Sequence, residues 1–123
     1  MKLRAALLAG SVAATGLVAS IAAPVAEAAP GSCAYGYACV YQNNYFGGTQ
    51  YSAFNSASSI GSMSDQGSSV GNSRDYTSRY YQNTGYSGWS VCISKQNSNG
   101  DLSNDRNDEI SSIYLGSPYV PYC

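Results

Sequence analysis

The chain contains nearly the same eight residues twice. YQNNYFGG begins at Tyr41 and YQNTGYSG begins at Tyr81, forty positions later. In each copy an aromatic residue is followed by a second aromatic five positions on and by glycine seven positions on. A further match, between SDQGSSV from Ser64 and NDEISSI from Asn107, follows at an offset of 43. Self-similarity in two spaced parts predicts a duplicated supersecondary unit.

The first part of the chain has the layout of a secretory signal peptide. Lys2 and Arg4 precede an Ala-rich apolar run from Ala5 to about Ala23, and Ala26-Glu27-Ala28 fits the small-x-small cleavage rule. A proline closes the run, which argues against a membrane anchor. We therefore expect a signal peptide over 1–28 and a secreted domain over 29–123, with no membrane attachment after cleavage.

The charge of that domain is small and slightly acidic. After residue 28 the chain has four cations and six acids, and four of the acids fall in 101–109. Without a basic stripe, a nucleic-acid partner is not expected.

Four cysteines follow the signal peptide, and an even number in a short secreted chain suggests disulfides. Three connectivities are open. We favour Cys33–Cys39, which are close in sequence, and Cys92–Cys123, which would close a loop worth roughly 3–4 kcal/mol. A zinc site is disfavoured because the chain has no C-x-x-C pair and no His.

The remaining sequence indicates strands and turns. Gly, Ser and Asn are dense, and no apolar 3.6-residue period lasts three turns. WSVCIS places Trp89, Val91 and Ile93 on one face, and YACVYQ, TQYSAF and ISSIYL are further short β-type runs. This pattern predicts a sandwich or small barrel. Of two interpretations for the twelve tyrosines, core and hairpin packing or a binding surface, we favour packing.

The two-part repeat resembles the βγ-crystallin Greek-key motif. Tyr-x-x-x-x-Phe-x-Gly is followed by Asp-x-x-Ser-Ser, and the second copy carries the fuller signature over Asn107–Ser112. The resemblance implies an all-β, βγ-crystallin-like sandwich of two Greek keys, one about 33–74 and one about 75–123, stabilised by disulfides. It also implies that the last Ser of each motif binds a folded hairpin. The structural positions would be Tyr41, Phe46, Gly48, Ser69, Tyr81, Tyr86, Gly88 and Ser112.

The same resemblance implies Ca²⁺ as an optional ligand, with no cofactor required. Its third motif position offers a backbone carbonyl and its fifth a hydroxyl, which gives Gln66 and Ser68 in the first copy and Glu109 and Ser111 in the second. Oxygen ligands and the nearby acids suit this cation. The first copy departs from the pattern, because Ser64 stands where Asn or Asp is usual. The alternative is that these residues only fix turns.

The start of the domain, CAYGYACVYQNNYFGG, resembles the secreted actinobacterial peptidase inhibitors of the streptomycete metalloproteinase-inhibitor family, including the Cys-x5-Cys spacing of Cys33 and Cys39. The resemblance implies a monomeric inhibitor that presents a rigid loop to an extracellular protease, a metalloprotease in the first instance. The inhibitory loop is unknown from sequence, with Gln96–Asp105 and Asn55–Ser64 as candidates. The alternative function is a Ca²⁺-binding structural module without inhibitory activity.

An enzyme is not expected. GSSVG at 67–71 matches G-x-S-x-G, but a nucleophile elbow needs a His base and this chain has none. The stretch 101–112 resembles an EF-hand loop, yet Arg106 stands where glycine is needed and Ser112 where glutamate is needed.

Overall fold

The computed structural model describes residues 28–102 and 108–123. The predicted signal peptide up to residue 27 and the motif position Asn107 lie outside these ranges. No helix in the described part of the chain is long and apolar enough to cross a bilayer. The strands are β1 (Ala38–Tyr41), β2 (Gln50–Ala53), β3 (Ser69–Asn72), β4 (Ser78–Asn83), β5 (Ser87–Ile93), β6 (Asn97–Asn99) and β7 (Ser112–Tyr114).

The strands form two antiparallel sheets, so the predicted all-β fold is confirmed. One sheet has the order β2-β1-β3-β6 and the other β5-β4-β7. β6 follows β5 in sequence but pairs with β3 in the first sheet. In return Ala57, from the first half of the chain, forms a bridge to Ile113 of β7. The two halves of the chain thus exchange segments.

The second sheet has three strands where the first has four. Its fourth position holds the single Ala57 bridge, not a continuous ladder. The chain there is rich in Ser and passes into a 3-10 turn at Gly61–Met63. Short polar side chains that compete for backbone hydrogen bonds do not sustain a strand.

β1 is buried on both faces and belongs to two apolar clusters. Ala38 and Val40 point into the main core, while Cys39 and Tyr41 form a smaller cluster with Cys33. This alternation follows from the two-residue period of a strand. The main core also contains Ala53, Ile60, Met63, Val70, Tyr80, Ile93, Leu102, Ile110, Ile113 and Leu115, with Trp89 and Val91 packed against it.

The expectation that the tyrosines serve mainly for packing was only half right. Tyr41 and Tyr80 are fully buried, and the Tyr80 hydroxyl donates to the Gly71 carbonyl at 2.7 Å. Six others are exposed, because aliphatic side chains fill most of the core. The exposed ones are Tyr35, Tyr45, Tyr76, Tyr114, Tyr119 and Tyr122.

Both predicted disulfides are confirmed. Cys33–Cys39 joins the segment before β1 to β1 itself, and Cys92–Cys123 joins β5 to the last residue of the sequence. No cysteine is left unpaired in the described part of the chain. The second bond fixes a segment that contributes no strand to either sheet.

Candidate functional site

The first repeated stretch is a folded hairpin held by a buried serine. The Ser69 hydroxyl donates to the Asn43 carbonyl at 2.7 Å and accepts from the Phe46 N–H at 3.0 Å. The Tyr41 and Phe46 rings meet edge to face, with centroids 5.4 Å apart. Gly48 has φ +76°, a left-handed conformation that favours glycine. These contacts make the hairpin a structural element.

The second stretch repeats this arrangement. The Ser112 hydroxyl donates to the Asn83 carbonyl at 2.6 Å and accepts from the Tyr86 N–H at 3.1 Å. Tyr81 and Tyr86 meet with centroids 6.0 Å apart, and Gly88 has φ +81°. The eight residues are therefore repeated in structure as well as in sequence.

The candidate Ca²⁺ positions of the two copies lie beside one another. The Ser68 hydroxyl donates to Asp108 Oδ1 at 2.6 Å, and the Ser111 hydroxyl donates to Asp65 Oδ1 at 3.0 Å. Each serine thus binds the aspartate of the other copy. Both serines are buried, whereas both aspartates are exposed, so each hydroxyl–carboxylate pair opens towards solvent.

The side chains at the other two candidate positions form hydrogen bonds outside the two hydroxyl–carboxylate pairs. Gln66 Oε1 accepts from the Gln42 amide at 3.1 Å, and Glu109 Oε1 accepts from the Gln82 amide at 2.9 Å. Backbone carbonyls are what the resemblance assigns to Gln66 and Glu109, whereas these two hydrogen bonds involve their side chains. The four candidate Ca²⁺ ligands stay a prediction.

Sequence reasoning did not name Asp65 and Asp108 as site residues. Both take the second position of the motif, 43 residues apart, and both have left-handed φ values of +62° and +61°. That shared position was the available signal. We refer to the two Ser–Asp pairs, Ser68–Asp108 and Ser111–Asp65, as the acidic end of the sandwich.

The opposite end of the sandwich is covered by the segment Ser117–Cys123, which we call the strap. Its residues are all exposed, yet its backbone is fixed at several points. The Val120 carbonyl accepts from the Thr77 N–H at 2.7 Å, and the Pro121 carbonyl accepts from the Lys95 N–H at 2.8 Å. The strap's last residue donates its N–H to the Ser94 hydroxyl at 3.1 Å and carries the disulfide to β5.

A buried polar cluster supports this end from below. The Arg74 guanidinium donates to the Thr77 carbonyl at 2.7 Å and to the Leu115 carbonyl at 3.2 Å. Burial lowers the pKa of Arg74 from its ordinary value. The Asn72 amide donates to the carbonyls of Tyr76 and Ile93 at 2.8 and 3.0 Å. The turn that carries Thr77 is therefore held rigidly beneath the strap.

The two loops predicted as inhibitory candidates differ in what they expose. In Asn55–Ser64 the large apolar residues Ile60 and Met63 are buried, so the exposed side chains are mainly Ser and Asn. Gln96–Asp105 includes β6 and the buried Leu102, and its residues from 103 onward lie outside the described ranges. Neither loop presents a large exposed apolar side chain in its described residues.

The chain matches the model of a protein family. A model of peptidase inhibitor family I36 matches residues 26–93, which include both eight-residue copies and the first Ser-Ser stretch. None of the curated proteins searched matches the chain.

Solved structures of βγ-crystallins share the fold. A βγ-crystallin from Ciona intestinalis is 22% identical with a TM-score of 0.56, covering 66% of this chain and 100% of its own. A βγ-crystallin domain from Flavobacterium johnsoniae is 23% identical with a TM-score of 0.54, covering 68% and 98%. A domain from Clostridium beijerinckii is 18% identical with a TM-score of 0.54, covering 63% and 94%.

Proposed function

The chain belongs to peptidase inhibitor family I36, and from this premise we propose that it is secreted and blocks an extracellular peptidase by seating a rigid surface segment in the peptidase's cleft. The family match is the observation that carries the proposal, since it covers more than half of the chain. A peptidase is the partner that the family implies.

The scaffold suits this role. Two disulfides and the serine-held hairpins fix the surface before binding. A segment that is already ordered loses less conformational entropy when it binds, so more of the contact energy appears as affinity. Rigidity also slows hydrolysis, because a fixed segment resists the distortion that cleavage requires.

Two finer parts of the proposal rest on the sequence. The basic, Ala-rich start with its small-x-small site supports secretion, and paired cysteines are usual in oxidising compartments. The resemblance of the segment from Cys33 to inhibitors of metalloproteinases supports a metallopeptidase as the first target to test.

The test is a panel of secreted metallo- and serine peptidases incubated with the oxidised domain 29–123. We expect at least one peptidase to be inhibited with a sub-micromolar constant, and we expect the inhibitor to keep its intact mass throughout. Reduced and alkylated protein is the matched control, and it should inhibit far less. If no peptidase on the panel is slowed at micromolar protein, the proposal is wrong.

The acidic end favours a second candidate function, that of a Ca²⁺-binding structural module. Two hydroxyl–carboxylate pairs lie where a hard cation would find oxygen ligands. Ser68 with Asp108 would hold one ion and Ser111 with Asp65 a second, and the Gln66 and Glu109 carbonyls would complete the ligands. The described residues contain no group of three or more acidic, His or Cys side chains, so affinity would depend on hydroxyls, carbonyls and water.

Calorimetry and thermal melting with CaCl₂ test this second function. A cation that binds only the native state raises the melting temperature, and Ser111→Arg should remove the second-site signal while leaving the first. Ser62→Ala, at an exposed serine that belongs to neither pair, is the control. An unchanged melting temperature at millimolar Ca²⁺ would exclude the module.

A further inference from the structure

The strap combines an exposed position with a backbone that is fixed at several points. Two of its carbonyls accept hydrogen bonds from Thr77 and Lys95, and a disulfide holds Cys123. Peptidases bind their substrates as extended chains, with side chains projecting into pockets. A segment whose backbone is already fixed loses less conformational entropy when such a cleft receives it.

Its side chains supply large apolar contact area. Tyr119 is 62% exposed, Val120 40% and Tyr122 63%. The Tyr119 ring rests edge to face on Tyr76 with centroids 5.7 Å apart, and Lys95 Nζ lies 5.7 Å from the Tyr122 ring centroid. Exposed aromatic side chains braced from one side are typical of residues that dominate binding at interfaces.

Two exposed cations lie beside the strap. Arg79 lines a cleft of about 340 Å³ beside it, together with Tyr114 and Tyr122, and Lys95 adjoins Tyr122. One acid, Asp75, also lies at this end, and its carboxylate is engaged by a hydrogen bond from the Tyr35 hydroxyl.

The other acids of the two repeats, within the described residues, lie near the opposite end of β4. β4 begins beside Arg79 and ends at the hairpin where Gln82 donates to Glu109, next to the Ser–Asp pairs. The molecule therefore has a cationic, aromatic end and an acidic end.

We propose that the strap, Ser117–Cys123, is the segment that contacts the peptidase, with Tyr119 and Tyr122 as anchors in pockets that accept aromatic side chains and Arg79 and Lys95 facing an acidic rim. This inference rests on the proposed inhibitory function and names its binding surface. Complementary charge steers association, whereas the buried rings set the dissociation rate.

The first experiment measures inhibition constants against the peptidase that the wild-type domain inhibits best. Tyr119→Ala combined with Tyr122→Ala should raise the constant at least tenfold. Tyr45→Ala is the matched control, because Tyr45 is 70% exposed but lies in the first hairpin, and it should change the constant less than twofold. Circular dichroism and melting confirm that each variant is folded.

A second variant keeps both tyrosines and changes only the charges beside them. Arg79→Glu with Lys95→Glu should lower the association rate at least fivefold at low salt and flatten its dependence on ionic strength. Both side chains are exposed, so the substitutions are not expected to unfold the domain.

The outcomes separate the two proposals. If the wild-type protein inhibits and the double tyrosine variant inhibits equally well, the strap is not the contact segment although the inhibitory function stands. Equal losses in the strap variant and in Tyr45→Ala also overturn the assignment of the strap. If the wild-type protein inhibits no peptidase, the function and the strap assignment fall together.

Discussion

Gly67 and Ile110 occupy equivalent places in the two copies of the repeat, 43 residues apart, and they pair with each other as an antiparallel bridge. A Cβ atom on Gly67 would lie 2.5 Å from Val40 Cγ1 and 2.8 Å from Ile110 Cβ. The two halves of the chain therefore meet with no room for a side chain on one side of the contact.

This closeness predicts that Gly67→Ala destabilises the protein by about 1–3 kcal/mol, the usual cost of overpacking a core. Urea unfolding measures the loss. Gly31→Ala is the control, since nothing lies within 4 Å of the added methyl and its φ is not left-handed. Equal midpoints for the two variants would show that the bridge tolerates a wider spacing.

The buried hydroxyls of the hairpins should each contribute measurably to stability. Ser69→Ala removes one donor and one acceptor, leaving the Asn43 carbonyl and Phe46 N–H without their partner. We expect a loss of about 1–3 kcal/mol in the free energy of unfolding, with a similar loss for Ser112→Ala. Ser62→Ala should leave the midpoint unchanged, and no loss in either hairpin variant would contradict the structural role.

The two disulfides should differ in their effect on stability. Cys92 and Cys123 are 31 positions apart and Cys33 and Cys39 only six, so the chain-entropy model gives about 4 and about 2 kcal/mol. Replacing each pair by serines and comparing denaturant midpoints checks the order. A larger loss from the Cys33–Cys39 pair would mean that its buried packing outweighs loop entropy.

The burial of Tyr80 predicts that the free energy of unfolding falls at alkaline pH. Burial raises the pKa of its hydroxyl well above the ordinary value near 10. Below pH about 10 both the native and the unfolded states keep the proton, so the contribution of Tyr80 is constant. Above that pH the unfolded state loses the proton that the native state retains, and stability falls by about 1.4 kcal/mol per pH unit.

Tyr80→Phe isolates this effect. The pKa of Tyr41 is also raised by burial, so the wild-type slope contains more than one contribution. The variant should show a shallower decline between about pH 10.5 and 12 when unfolding free energies are compared by denaturant titration. Identical slopes for wild type and variant would place the alkaline weakness in another residue. The variant's lower starting stability, from the lost bond to Gly71, does not affect the slope.

Much of the fold was predictable from sequence because the repeat couples two kinds of local signal. An aromatic pair ending in Gly48 or Gly88 and a Ser-Ser stretch leading into β3 or β7 each require a particular backbone, and together they define the Greek key. The disulfide pairs followed from sequence distance. The prediction of the Greek keys thus depended on local signals that occur twice in the sequence.

The candidate site was harder to predict from the sequence. The partner of Ser68 is Asp108, forty residues away and in the other copy, so no local pattern reveals the contact. The strap carries no repeat and no regular strand. Its exposure depends on where Thr77 and Lys95 place it. Tyr119 and Tyr122 looked like packing residues because composition does not distinguish a buried ring from an exposed one.

The exchange of β6 and Ala57 between the sheets makes the domain indivisible. Cut at the exposed Asp75, the chain would give a first fragment without the border strand of its own sheet and a second without the bridge that covers β7. Each fragment would hold what completes the other, so the two should remain unstructured apart and reassemble when mixed. The two halves are similar in sequence and structure, but neither half contains every segment that completes its own sheet.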